Sequence, residues 1–364
     1  MGVACSTSEE TGGACNDDVE LVVAASDYAS SVVCGAPCCV KGPGTTGADL
    51  GRDPQLTASN GRSFFLARDE ERIFELDPRT GRPKASIVVH ATGKGPTGGG
   101  PHDVAAADDG ALWVTHYGRG QILIIRNGAI EQSIDLSGYD DDKNPQPEAI
   151  RIVRVDGVPK AFVSLERLDD ADKLRSKQPS KMLRIDVATR VIEADIDLAG
   201  RNPFNPMEEL GGALYLAEPG NFDRIDEPYA GIERFDTKTS TTKLLVTEQA
   251  LGGSVTQLAV TEGCAAAIVA GPVPNVNPTA VVTFDPQSGA VQRPTSAALL
   301  GPTPGYDLQG LAWRGDLLYV GDRRAGPKGY RVHVFARDPG TCNLHPVDRA
   351  IDLPERPVAL KAAQ

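Results

Sequence analysis

The 364-residue chain is short of several things, and each shortage removes a class of protein. Basic residues are outnumbered, 37 Lys and Arg against 49 Asp and Glu, for a net charge of −12. The clustered lysines and arginines that a phosphate backbone demands do not occur, so nucleic acid is not an expected partner. No apolar run approaches the roughly 20 residues needed to cross a bilayer as a helix, so no transmembrane segment is expected. Long stretches with apolar residues at i, i+3, i+4 and i+7 are hard to find, which argues against long helices. No G-x-S-x-G is present, so the chain carries no serine nucleophile elbow of that kind. The glycine-rich "GKGPTGGG" at 93–100 lacks the order GxxxxGK[ST] and precedes a strand rather than a helix, so it reads as a connection and not as a phosphate loop.

Glycine and proline are abundant instead, at 39 and 27, and short apolar runs stand between them. That combination predicts many turns and short strands. The runs also recur. "ELVVAASD" (20–27), "SFFLARD" (63–69), "ALWVTHY" (111–117), "KAFVSLE" (160–166), "ALYLAEP" (213–219), "AAAIVAG" (265–271) and "DLLYVGD" (316–322) align as one strand repeated seven times. A second strand follows most of them and ends in an Asp-x-x-Thr/Ser-Gly turn or a close variant, as in "RIFELDPRTG" (72–81) and "VVTFDPQSG" (281–289). The Asp side chain in such a turn accepts from backbone N–H groups ahead of it, and Gly takes the left-handed position. A third element precedes the main strand, as in "PHDVAAA" (101–107) and "PEAIRIV" (147–153), and fourth strands such as "ASIVVH" (85–90) complete the unit.

Four short antiparallel strands repeated seven times, at about 43 to 53 residues, specify an all-β seven-bladed β-propeller. One blade cannot bury both of its faces, whereas blades stacked around an axis bury each other. The first unit lacks an inner strand, and "RPVALK" (356–361) supplies one, so the C-terminal strand is expected to close the ring in the first blade. The propeller is expected over 19–361, behind a flexible tether at 1–18.

Tyr319-Val320-Gly321-Asp322 and Leu214-Tyr215-Leu216-Ala217-Glu218, each followed by a second strand and turn, resemble the YVTN/lactonase-like seven-bladed propellers. The resemblance spans nearly the whole chain after about residue 18 and implies the fold. It implies no activity, because such propellers host enzymes, scaffolds and binding proteins, and no block of family catalytic residues is matched.

In a propeller blade the inner strand starts on the face that also holds the loop after the main strand. The starts of the inner strands contribute Gln55, His102, Asp103, Glu148, Met207, Glu208, Gln257, Asp307 and Gln309 to one mouth of the channel. The loops contribute Asp27, Tyr28, Arg68, Asp69, His116, Tyr117, Glu166, Arg167, Glu218, Asp322 and Arg323. Several of these loops are long, notably 166–181 and 218–231, and long loops on a rigid scaffold are where binding concentrates. The ligand-binding set is therefore His102, Asp103, His116, Tyr117, Glu148, Glu166, Arg167, Glu208, Glu218, Asp307, Asp322 and Arg323, and no residue among them is assigned a catalytic role. A transition-metal site would draw on His102, His116, Glu148 and Glu208, although their spacing matches no known motif. Asp140, Asp142 and Asn144 alternate as calcium ligands do, but Pro145 and Arg151 stand where a calcium loop has its glycine and terminal glutamate, so Ca2+ is only a weak cofactor candidate.

The seven cysteines are Cys5, Cys15, Cys34, Cys38, Cys39, Cys264 and Cys342. "GVAC" resembles the end of a lipobox with Cys5 as the lipid-bearing residue, leaving six thiols for three disulfides in an oxidising compartment. The same start also fits the myristoylation pattern at Gly2 and Ser6. Cys264 and Cys342 fall at turns on the same face of neighbouring blades and are expected to pair. Adjacent Cys38 and Cys39 are expected to take different partners, such as Cys15 and Cys34. The reading is an extracytoplasmic, non-catalytic propeller, with a possible lipid anchor, recognising a protein, glycan or small ligand. The alternative is a lactonase- or lyase-like enzyme with a divalent-ion or acid/base site at the mouth.

Overall fold

Within each repeat the alternation of apolar and small residues builds an antiparallel meander, and the computed structural model describes it over residues 19–39, 41, 44–90 and 100–363. Seven sheets result, one per blade. The inner strands are Pro357–Ala362 in blade 1, Pro54–Ser59, Pro101–Ala106, Pro147–Val155, Phe204–Leu210, Ser254–Thr261 and Leu308–Arg314 in blade 7. Each touches the inner strands of the two neighbouring blades, so the ring is closed.

The closing strand is the C-terminal one. Pro357–Ala362 pairs antiparallel with Leu21–Ser26, setting Leu360 opposite Val23. Blade 1 has three strands among the described residues, and the single bridge Val32–Thr46 marks where its fourth would run. In blade 6 two short strands, Val291–Arg293 and Leu300–Thr303, share the outer edge of Thr279–Phe284.

The aspartate turns form as their chemistry requires. Asp77, Asp186, Asp236 and Asp285 each accept from a Thr or Ser backbone N–H three residues on, at 2.7–3.0 Å. Between the blades lie seven apolar clusters, one at each blade-to-blade interface. Trp113 sits in the cluster between blades 3 and 4 with Ile150 and Val163. Every buried Leu, Ile or Phe in these layers contributes roughly 1.5–3 kcal/mol on leaving water. Apolar burial is thus distributed over all seven interfaces of the ring.

A disulfide between Cys264 and Cys342 ties blades 6 and 7, with Cα atoms 5.0 Å apart. In blade 1, Cys34 pairs with Cys39, and Cys38 is also disulfide-bonded. Cys5, Cys15 and the 1–18 segment lie outside the described residues.

Leu360 packs among residues of blades 1 and 7 and is 2% exposed. Leu360→Ala is expected to cost about 2–5 kcal/mol, read as a lower urea midpoint at unchanged slope. A midpoint equal to that of the parent protein would show that the closing strand bears no load.

Candidate functional site

Pairing between the inner strand and its neighbour is interrupted near the strand start in five consecutive blades. The breaks fall between Pro101 and Asp103, Pro147 and Ile150, Phe204 and Glu208, Val255 and Gln257, and Leu308 and Leu311. An extra residue in one strand breaks the two-residue alternation and re-aims a side chain. Each break contains a residue, His102, Glu148, Asn205, Thr256 or Gln309, that lines one cavity of about 720 Å³. All seven blades contribute to the wall, with Tyr28 from blade 1 and Gln55 and Arg68 from blade 2, so the cavity lies on the channel axis.

His102 and Glu148 form the centre of this cavity. His102 Nδ1 contacts Glu148 Oε2, and the Tyr117 ring stacks on the imidazole at 4.1 Å between centroids and 13° between planes. The other Glu148 oxygen accepts the Asn205 backbone N–H at 3.0 Å. His102 Nε2 has no hydrogen-bond partner among the described residues, and the side chain keeps 13% of its surface exposed. The imidazole is therefore fixed through one nitrogen and has the other available, as a positioned general base requires.

A second carboxyl completes the group. Glu166 Oε2 accepts the Tyr117 hydroxyl at 2.6 Å. Burial, and then the negative charge of Glu148, push the Glu166 carboxyl well above the ordinary range. Burial would also raise Glu148, but the adjoining His102 and the Arg68 guanidinium hold it below its ordinary value. Two neighbouring carboxyls thus prefer opposite protonation states, the pattern that separates an acid from a base. Arg68 is itself held by Asp53 at 2.5 Å.

The remaining expected site residues lie off the cavity wall. Asp103 turns into the blade 3–4 interface, where it pairs with Arg151 at 2.6 Å and accepts the Ile150 N–H at 3.0 Å. His116 is 1% exposed, and neither ring nitrogen has a partner among the described residues. Burial lowers its pKa to about 4. Arg167 braces its own loop by donating to Pro179 O and Gln178 Oε1. Glu208 pairs with Lys361 at 2.7 Å further along the channel. Glu218 is fully buried beside Glu233. Asp322 is engaged by His333 and Arg324. Asp307 accepts the Arg323 N–H through its carbonyl, and Arg323 lies over the Tyr28 ring at 5.1 Å while donating to Gln309 at 2.7 Å.

Of the calcium candidates' oxygens, Asp140 Oδ2 and Asn144 Oδ1 are buried without a hydrogen-bond partner among the described residues, and the other three accept N–H groups. Asp140 Oδ1 accepts from Asp141 N and Gln178, Asp142 Oδ1 accepts the Asn144 N–H, and Asn144 turns its amide N–H toward Asp170. No group of three or more His, Cys, Asp or Glu able to hold a metal occurs among the described residues.

Asn205, Asn202, Leu174, Phe222 and Tyr306 line the cavity without having been expected there. Asn205 enters through the break in blade 5, with φ +69°, beside Pro206, which cannot donate to the ladder.

No family model matches the chain, and no curated protein matches it in sequence. Solved structures do match, as propellers. The periplasmic gluconolactonase of Pseudomonas aeruginosa aligns at TM-score 0.56 and 17% identity over 96% of this chain and 99% of its own. A streptogramin B lyase aligns at TM-score 0.55 and 15% identity over 85% and 86%. The hydrazine synthase of Kuenenia stuttgartiensis aligns at TM-score 0.53 and 16% identity over 77% and 75%. Likeness at this level establishes the shared propeller fold and nothing of the chemistry.

His116 makes stability depend on pH with a definite sign. The unfolded chain takes up a proton below the ordinary histidine value of 6.5, whereas the folded chain resists until about 4. Stability from this group is therefore complete above pH 6.5 and lost as pH falls toward 4, by up to about 3 kcal/mol. His116→Phe is expected to flatten the loss between pH 6.5 and 4.5 in urea unfolding; an unaltered slope would place the acid sensitivity elsewhere.

Proposed function

We propose that the channel mouth is a small-molecule site whose chemistry is general acid–base catalysis of lactonase or lyase type. One observation carries this reading: a His102–Glu148 pair and an acid-preferring Glu166 meet in one axial cavity. In the hydrolytic form, His102 Nε2 takes a proton from water while the water oxygen bonds to the carbonyl carbon. Glu148 steadies the imidazolium. As the carbon–oxygen bond of the ester breaks, the Glu166 carboxyl gives its proton to the leaving oxygen, and a hydroxy acid results. The imidazolium proton then returns to Glu166 through solvent. In the lyase form, the same base removes a proton from carbon and the same acid protonates the leaving group. Arg68 lends positive potential to the developing oxyanion.

The resemblance to YVTN/lactonase-like propellers suits this reading without supplying a residue for it. A non-catalytic propeller recognising a protein, glycan or small ligand is the second reading. It is favoured by the bonds that lace the rim loops, from Arg175 to Asp223 at 2.7 Å and from Val273 N to Phe222 O at 2.8 Å, because preorganised loops serve recognition alone equally well. We place the protein outside the cytoplasm, since its disulfides persist in oxidising compartments. Anchoring through a lipid on Cys5 belongs to the same proposal.

A pH-stat assay on a panel of γ- and δ-lactones tests the catalytic reading. His102→Ala is expected to lower kcat/KM by about 10²–10⁴, and Glu148→Gln to lower it as well. Glu166→Gln should remove the alkaline limb of the rate profile along with most of the activity. Turnover that survives His102→Ala sinks the assignment, whereas ligand binding without turnover in the parent protein selects the second reading.

A further inference from the structure

We propose that this cavity takes a neutral amphiphilic carbonyl compound, an ester or lactone bearing an acyl chain or aromatic ring, with its apolar body on the rim and its carbonyl at His102. The inference rests on reading the mouth as a small-molecule acid–base site, and it names the substrate class.

The rim is apolar where a soluble surface is ordinarily polar. Four of the large apolar side chains left exposed among the described residues, Tyr28 (54%), Leu174 (50%), Val273 (38%) and Tyr306 (43%), line this one cavity. The others are spread over the blades. Scattered exposed apolar residues need no explanation, but a convergent group around a cavity marks a binding surface. The four come from four separate connections, so no local sequence pattern brought them together. Phe204 and Phe222 extend the apolar wall inward, edge to face at 5.2 Å.

Backbone geometry supports the same surface. Tyr28, Leu174 and Phe222 have φ of +63°, +59° and +59°. Bulky side chains rarely adopt this left-handed conformation, and such residues collect at ligand clamps. Surface loops under no constraint would place Gly or Asn there.

The polar groups of the cavity argue against sugars and phosphates. Carboxamides that would read hydroxyl groups are already engaged by the protein. Asn202 donates to Gly220 O, Asn205 bonds both Gln55 and Thr256 O, and Gln257 bonds both Val358 O and the Gly310 N–H. An anionic ligand would face Glu148 and Asp53, and of the two cations on the wall Arg68 is tied to Asp53 while Lys173 stands exposed at the rim. A ligand with little hydrogen-bonding demand beyond one carbonyl fits what remains. The carbonyl oxygen lies near Arg68, and the body leaves water along the rim.

Calorimetric titration of the His102→Ala protein, which is expected to bind without turnover, separates the possibilities. The probes are γ-decalactone, γ-butyrolactone, D-glucono-δ-lactone and N-acetyl-leucinamide. γ-Decalactone is expected to bind at least about tenfold more tightly than γ-butyrolactone, which has the same head and no chain. Adding Leu174→Ser and Tyr306→Ser should lower γ-decalactone affinity about tenfold more than that of γ-butyrolactone. Both side chains are about half exposed, so the fold is not at stake. Equal affinity for the three lactones, preference for gluconolactone, or no binding overturns the proposal. Leucinamide binding as tight as that of γ-decalactone also overturns it and assigns the rim to a peptide. Chain-dependent binding with no hydrolysis by the parent protein keeps this inference and rejects the catalytic one. Hydrolysis indifferent to chain length does the reverse.

Discussion

An antiparallel strand presents only every second side chain to a given face. The inner strands of blades 3 to 7 each escape that rule once, at the end nearest the mouth. The cavity depends on these five breaks. Without the break between Pro101 and Asp103, His102 would follow Val104 and Ala106 into the layer against blade 2. Without the break between Pro147 and Ile150, Glu148 would be paired within the sheet rather than aimed at His102. A bulge leaves a residue unpaired in the ladder, and in these blades the lost backbone bonds are made good by side chains: Thr115 Oγ donates to Glu148 O, and Asn205 donates to Thr256 O. The ring therefore gives up regular pairing at its axis and gains convergent polar groups.

Burial alone does not bring a carboxyl to the cavity, as the two buried acid pairs show. Glu218 and Glu233 lie side by side in blade 5, both raised by burial, and one Glu233 oxygen accepts the Gly200 N–H at 2.6 Å. A Cβ on residue 200 would overlap Glu218, so the backbone there lies directly against that carboxyl. Both carboxyls lie inside the blade, off the wall of the axial cavity. Glu148 and Glu166 are equally buried but border the cavity, and a histidine and an arginine stand beside them. The asymmetry between the two acids comes from those neighbours. Asp103, one residue from His102, shows the third outcome: full burial, full pairing to Arg151, and a structural role between blades.

The repeat, the aspartate turns and the ring-closing strand were legible in the sequence because each is set by local pattern: alternation, turn chemistry and a missing strand. The Cys264–Cys342 bond followed from the repeat, which puts both turns on one face of adjacent blades. The mouth was legible as a list of strand starts and loops, but not as a selection among them. His102 and His116 occupy equivalent ends of paired strands, yet one is on the cavity wall and the other is sealed beneath it. The bulge decides which, and a bulge depends on how two strands pair, which no single segment encodes. Leu174, Phe222 and Tyr306 were invisible for a related reason. Each is an isolated apolar residue in a polar loop, and only the ring brings them together.

The closing strand and the candidate site are coupled physically. Gln257 Nε2 donates to Val358 O at 3.0 Å, and Arg323 donates to Pro357 O at 3.2 Å, so the C-terminal strand supports two side chains around the mouth. Across the axis, Gln55 holds Asn205, whose backbone N–H holds Glu148, which holds His102. That chain runs through blades 2, 5, 4 and 3. Its length is fixed only while the blades keep their spacing, because hydrogen bonds weaken steeply once donor and acceptor separate beyond about 3.2 Å. A ring loosened at its seam would therefore disturb the dyad before any blade unfolded. The cluster around Leu360 braces that seam between blades 1 and 7, and the disulfide ties blade 7 to blade 6 beside it.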